Sequence, residues 1–225
     1  MVDLGAGNDQ LVVFGSAADA ATTISIETGT GDDRVYMTET NTGADVSISN
    51  EGGNDVRRIS ETTLGGLDLN GAGSSALENS VVNGNLASNS NGVSNIAVAG
   101  TRVTGSTSLN GSGSGDTFVT SQSIFDGLFD ARGNGGRDVL ALASSEFNSA
   151  VVVAGDAGND ILGARRGNTF AADSDYDGGQ GDDVFASDNQ GVAPAQRRIE
   201  SSSNTSLDGL IDLALSDFDG LLLDL

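Results

Sequence analysis

Short runs in which every second residue is apolar recur along the chain: TTISIET at 22–28, ADVSISN at 44–50, GGLDLNG at 65–71, GSTSLNG at 105–111 and SAVVVAG at 149–155. Alternation at period two marks a β-strand with one buried face. Roughly half a repeat away stands a second column, Leu11, Val35, Arg57, Leu77, Ala97, Phe118, Leu140, Leu162 and Phe185, apolar everywhere except Arg57. Each unit therefore reads as Gly-rich turn, strand, variable bend, strand. Stretch 95–110, NIAVAGTRVTGSTSLN, reads as three strands.

The turn that precedes the second column is itself repeated. It appears as GAGNDQLVV, GTGDDRVYM, EGGNDVRRI, GSGSGDTFV, GNGGRDVLAL, GDAGNDILG and GGQGDDVFA. The key acids are Asp9, Asp33, Asp55, Asp116, Asp138, Asp160 and Asp183, spaced by 24, 22, 22, 22 and 23 residues outside the middle. Two degenerate units fit the middle gap, with Ser75 and Asn95 at the acid position. A unit this short cannot bury its own apolar face, so neighbours must stack. The expected fold is all-β: a single-stranded parallel β-helix of about nine coils of ~22 residues, right-handed by the general chirality of parallel crossovers. At ~4.8 Å per coil it would form a rod on the order of 40 Å long.

The expected organisation is a repeat domain over 1–190, a linker over 191–205 and a C-terminal element over 206–225. The linker region holds the only Pro and a Ser run, which mark the end of the repeats. Beyond it, Leu207, Leu210, Ile211, Ala214, Leu215, Phe218, Leu221 and Leu222 follow helical spacing, with Ser206 as N-cap and Asp208 in the first turn. This predicts an amphipathic helix that caps the last coil, with a secretion or docking element as the alternative. Gly209 and Gly220 weaken the helical pattern.

Charge narrows the partners. Asp plus Glu number 32 and Lys plus Arg 10, for a net charge of −22, and the chain has no His, Cys or Trp. Disulfides, Cys/His zinc sites and histidine-based catalysis are excluded. Nucleic acid is disfavoured by the sign of the charge. No stretch is long enough and apolar enough to span a membrane as a helix. The first residues lack the pattern of a signal peptide, and the chain opens inside a motif, as a segment of a longer array would.

Stacking would place the key acids above one another, where like charges disfavour ionisation. Glycine can adopt positive φ and turn its carbonyl outward. Carbonyls and carboxylates of adjacent coils would then form an all-oxygen cage, the donor set Ca²⁺ prefers. The candidate ligands are Gly7, Asp9, Gly31, Asp32, Asp33, Gly53, Asp55, Asp116, Gly136, Asp138, Asp156, Gly158, Asp160, Gly179, Gly181, Asp182 and Asp183. They concentrate in the first three and last four units. Asp45, Asp68 and Asp126, near the other strands, read as solvated faces.

Residues 178–185, GGQGDDVF, resemble the hemolysin-type (repeats-in-toxin) nonapeptide G-G-x-G-x-D-x-apolar-x, and GND at 7–9, GDD at 31–33 and GND at 158–160 resemble its second half. The resemblance implies Ca²⁺ between successive turns and a secreted protein, exported by a route that reads a C-terminal signal. Here one motif occurs per coil where that family has two, so only one edge would bind metal.

These readings point to a non-enzymatic extracellular or cell-surface module, structural or adhesive, with calcium and cell-surface components as partners. The alternative is a carbohydrate-active β-helix, lyase or hydrolase, using Arg34, Arg57, Arg58 and Arg102 on an acidic polysaccharide. Against it stand two Tyr, no Trp and short bends. Arg57 and Arg58 read as surface charges paired with acids. Ice binding would need continuing Thr columns, which Thr22, Thr23, Thr38 and Thr40 do not start.

Overall fold

In a computed structural model, residues 1–15, 17–18, 22–165, 167–187 and 195–203 are described. They form a parallel β-solenoid of about eight turns, with no helix among them. Every full turn has three strands, not two. Their pairing builds three parallel sheets of 11, 10 and 8 strands.

The alternating runs form sheet 1, from Ile24–Glu27 through Val46–Ser49 and Leu67–Asn70 to Val151–Gly158 and Ser174–Gln180. The strands after the Gly-Asp turn form sheet 2, from Gln10–Phe14 and Arg34–Thr38 to Val184–Ser187. Sheet 3 consists of two-residue strands, such as Thr63–Leu64, Ile124–Phe125 and Glu146–Phe147. A two-residue strand contributes one inward side chain, so it leaves no alternation to read.

Each sheet sends columns inward. Sheet 1 stacks Ile26, Ile48 and Leu69; sheet 2 stacks Met37, Ile59, Leu77 and Val98; sheet 3 stacks Leu64, Val82, Val103 and Phe125. All of them are buried in one continuous core. In the later coils phenylalanines fill it: Phe125 and Phe147 stack with ring centroids 5.1 Å apart, and Phe147 and Phe170 at 5.3 Å. So few aromatics suffice because each coil encloses only about five inward side chains, two each from sheets 1 and 2 and one from sheet 3.

The corner between sheets 2 and 3 repeats a device of its own. A residue with positive φ, such as Glu39, Glu61, Asn79, Gln122 or Ser144, is followed by a buried Thr or Ser. Those hydroxyls form a ladder: the Thr62 N–H donates to Ser80 Oγ at 3.1 Å, Thr101 N–H to Ser123 Oγ at 3.2 Å and Ser123 N–H to Ser145 Oγ at 3.2 Å. Each side chain thus satisfies a backbone donor at a corner where the sheet ladders are interrupted. The recurrence of Thr or Ser at 40, 62, 80, 101, 123 and 145 is visible in the sequence once the period is known.

The middle coils have a different register from the one expected. Gly73 and Ser94, not Ser75 and Asn95, occupy the aspartate position, since Ser74 pairs with Val56, Gly73 with Ser94 and Asn95 with Thr117. Ser75 and Ile96 therefore stand in the inward column below Arg57, and Ala97 faces out. The coil shortens here, to 18 residues from Thr62 to Ser80, which displaces the turn.

Within the stretch read as a linker, Ala195–Arg197 pairs with sheet 1 and Ser201–Ser203 with sheet 2, so residues 195–203 add a further rung. The helix expected over 206–225 lies outside the described residues.

Candidate functional site at the glycine–aspartate corner

The corner between sheets 1 and 2 gathers every candidate ligand, and three columns run along it. The innermost holds the key acids. Asp33, Asp55, Asp116, Asp138, Asp160 and Asp183 are all buried, and Asp9 is half-buried. Each carboxylate from Asp33 onward accepts the backbone N–H of the equivalent residue one coil earlier. Asp9 N–H donates to Asp33 Oδ1 at 2.7 Å, Asp33 N–H to Asp55 Oδ1 at 2.7 Å and Ser94 N–H to Asp116 Oδ1 at 2.5 Å. The series continues with Asp116 to Asp138 at 2.7 Å, then Asp138 to Asp160 and Asp160 to Asp183, both at 2.8 Å. Glu200 closes it, its Oε2 accepting the Asp183 N–H at 2.8 Å. A carboxylate that receives a backbone N–H is a strong, charge-assisted acceptor, so this column fastens coil to coil.

One residue earlier runs an exposed ladder of the same kind. Asn8 Oδ1 accepts the Asp32 N–H at 3.0 Å, Asp32 Oδ1 the Asn54 N–H at 2.8 Å, and Asn159 Oδ1 the Asp182 N–H at 3.0 Å. Asp32 and Asp182 thus belong to this outer rail.

The third column is glycine. A Cβ on Gly31 would lie 1.9 Å from the Gly7 carbonyl oxygen, one on Gly53 1.8 Å from that of Gly31, and one on Gly158 or Gly181 1.5 Å from that of Gly136 or Gly158. Gly179 meets the Asp156 carbonyl oxygen at 2.0 Å in the same way. These carbonyls lie along the stack against the next coil's glycine, where an outward orientation was expected. Glycine stands here because its neighbour's carbonyl occupies the space of a side chain.

The second carboxylate oxygens differ from one coil to the next. Asp55 Oδ2 accepts from Asn50 Nδ2, and Asp116 Oδ2 accepts the Ser112 N–H at 2.7 Å. Oδ2 of Asp138 and of Asp160 is buried with no hydrogen-bond partner. Each lies against a glycine five residues earlier: a Cβ on Gly133 would come within 2.0 Å of Asp138 Oδ2, and one on Gly155 within 2.3 Å of Asp160 Oδ2. Burial pushes the Asp138 carboxyl up to about 7, against the lowering effect of the Asp116 N–H. Burial likewise raises Asp116, Asp160 and Asp183. Backbone donors offset the charge repulsion expected of stacked acids, and burial favours the protonated form of Asp116, Asp138, Asp160 and Asp183.

Arg57 is not a surface charge. It points inward from sheet 2 and is buried, with 2% exposure. Its guanidinium donates to three carbonyls of the following coil: Asn70 at 3.1 Å, Gly71 at 3.3 Å and Ala72 at 2.8 Å. Burial lowers its pKa to about 10, with Asp55 opposing. Asn50 joins Asp55 to the Ala72 carbonyl in the same network. Small Ser75 below it makes room for the long side chain. An arginine in an otherwise apolar column was the signal for this network.

The four arginines of the carbohydrate reading do not converge. Arg57 is inside, Arg58 pairs with Glu78 at 3.3 Å on the outer face of sheet 2, and Arg102 pairs with Asp126 at 2.9 Å on sheet 3. Arg34 is exposed on the first full coil.

The inner acids do not fit a calcium cage, because one oxygen of each is committed to a backbone N–H and the glycine carbonyls abut the next coil. Among the described residues no group of three or more acidic side chains is placed to hold a metal ion. Nor do they contain a helix long and apolar enough to cross a membrane. No family model matches the chain, and neither a curated protein nor a solved structure shows significant similarity to it.

Proposed function

We propose that this chain is a non-enzymatic structural module, an acidic solenoid segment of an extracellular or cell-surface protein. The aspartate ladder carries this reading. The one chemically distinctive residue of the repeat is turned inward and used to join coils, so the repeat's chemistry serves cohesion. The dispersal of the arginines supports the same conclusion against a polysaccharide-processing site. The resemblance of the Gly-Asp turns to hemolysin-type repeats favours secretion.

Ca²⁺ enters this reading as a counter-ion of the outer acids Asp32, Asp156 and Asp182. The inner column would hold the fold without it. Thermal unfolding followed by far-UV circular dichroism, in EGTA and across Ca²⁺ and Mg²⁺ titrations, tests this. The expected result is a folded protein in EGTA with a small upward shift in Tm on adding Ca²⁺. Folding only in Ca²⁺ would overturn it and return the inner aspartates to a metal cage.

A further inference from the structure

The chain contains five Asn–Gly pairs: Asn70–Gly71, Asn83–Gly84, Asn91–Gly92, Asn110–Gly111 and Asn134–Gly135. An asparagine before glycine can close on the next backbone nitrogen, because glycine has no Cβ to hinder the approach. The closure needs an N–H that is not held in a hydrogen bond and a side chain free to turn onto it. The sequence makes the five pairs equivalent; the fold does not.

Four of the glycine N–H groups are engaged. Gly71 N–H donates to the Asn89 carbonyl at 3.0 Å, Gly111 N–H to that of Arg132 at 2.8 Å and Gly135 N–H to that of Ser112 at 2.9 Å. Gly92 N–H donates to Ser90 Oγ at 3.3 Å. The asparagines before them are engaged as well. Asn70 Oδ1 accepts from Asn89 Nδ2 at 3.4 Å, and Asn91 Oδ1 accepts the Ala72 N–H at 3.0 Å. Asn110 Nδ2 donates to Asn89 Oδ1 at 3.2 Å, and Asn134 Nδ2 to the Gly111 carbonyl at 3.0 Å. Neither the Gly84 N–H nor the Asn83 side chain has a hydrogen-bond partner among the described residues, and Asn83 is exposed.

A mismatch in turn length leaves this pair free. Between sheets 3 and 1 the chain passes from Leu64 to Leu67 through Gly65 and Gly66. One coil later it passes from Val82 to Leu86 through Asn83, Gly84 and Asn85. The Asn83 N–H still reaches the Leu64 carbonyl at 2.9 Å, and the Leu67 N–H still reaches the Asn85 carbonyl at 2.9 Å. The extra residue falls between these two bonds, so its N–H meets no carbonyl of the shorter turn. Packing also keeps glycine at 84, since a Cβ there would lie 2.8 Å from the Gly65 carbonyl oxygen.

We propose that Asn83 is a site of spontaneous covalent modification, deamidating to aspartate or isoaspartate at the corner between sheets 3 and 1. The Gly84 nitrogen gives up its proton to solvent and attacks Asn83 Cγ. The N–Cγ bond forms, the Cγ–Nδ2 bond breaks, and Nδ2 takes up a proton and leaves as ammonia. Water then opens the succinimide ring at either carbonyl. The net change consumes water, releases ammonia and involves no oxidation. It adds an acid to a chain already at −22. The isoaspartyl product also lengthens the backbone between the Asn83 N–H and the Gly84 carbonyl, which accepts the Gly105 N–H at 2.9 Å. A long-lived module would thus acquire its first chemical change at one defined turn.

The full chain would be incubated at mildly alkaline pH, folded and in parallel in urea, and peptide mass spectrometry would locate and time each amide-to-acid conversion. In the folded chain Asn83 should convert at least about tenfold faster than the other four, whose hydrogen bonds must first be broken by local opening. In urea all five should convert at comparable rates. Asn83→Gln should abolish the fast conversion and leave the other four rates unchanged, with circular dichroism confirming the solenoid. Comparable rates in the folded chain, a faster site among the other four, or an Asn83 that stays an amide while the unfolded chain converts would each overturn the proposal.

Discussion

Asp138 Oδ1 accepts the N–H of Asp116, one coil earlier, at 2.7 Å, while its own N–H donates to Asp160 Oδ1 at 2.8 Å. Each aspartate is thus acceptor to one coil and donor to the next. The relationship turns a repeated acidic residue, ordinarily a surface feature, into a longitudinal fastener inside the wall.

The ladder should make stability depend on pH in an unusual direction. Burial raises the Asp138 carboxyl to about 7 from its usual 3.8. Between those values the folded state holds a proton that the unfolded state releases, so stability falls as pH rises through the window. This contribution is complete below the unfolded value and lost above about 7. Melting temperature should therefore decline from pH 5 to pH 8, and Asp138→Asn should flatten that decline and raise stability at pH 8. A melting temperature that increases over the range in both proteins would contradict the assignment.

Glycines at one motif position should differ sharply in tolerance. Gly158 has φ +151° and would place a Cβ 1.5 Å from the Gly136 carbonyl oxygen, whereas Gly7 has φ +127° and would meet nothing within 4 Å. Gly7→Ala carries the conformational cost alone, about 1 kcal/mol. Gly158→Ala adds a backbone clash that forces coils apart and should cost about 3 kcal/mol or more. Urea unfolding of the two variants measures the difference; equal losses would mean that turn conformation, not stacking, selects glycine.

Adjacent arginines should behave oppositely. Arg57→Ala removes the guanidinium's three hydrogen bonds to the carbonyls of Asn70, Gly71 and Ala72 and opens a cavity, which should cost about 3–5 kcal/mol. Arg58→Ala removes a partly exposed pair with Glu78 and should cost about 1 kcal/mol or less. Denaturant titrations showing comparable losses would place Arg57 in a surface role after all.

The phenylalanine column should carry much of the later coils' stability. Phe147 contacts Phe125, Phe129 and Phe170 with ring centroids 5.1–5.3 Å apart. Phe147→Ala should cost about 3–5 kcal/mol, read from the urea midpoint. A loss near 1 kcal/mol would show that the core collapses around the gap.

The period, the parallel stacking and the position of the Gly-Asp corner were legible in the sequence. Stacking identical positions imposes one residue type per column, and Leu140 and Leu162 or Asp138 and Asp160 repeat for that reason. The same logic failed for Ser75 and Asn95. With the motif degenerate and the coil shortened, nothing local distinguished one register from a neighbour one or two residues away, and only the ladder through Gly73 and Ser94 decides it.

What the sequence determined by itself was the repeat and its columns, because a unit too short to bury its own face must stack on copies of itself. Only the tertiary structure decided which polar residues turn inward. Asp138 and Arg57 are charged, and composition places such groups at the surface; a backbone N–H or a set of carbonyls waiting one coil away makes the interior their place. The burial of Ala97 and Ala141 on an outward face is likewise a fact of the folded chain alone.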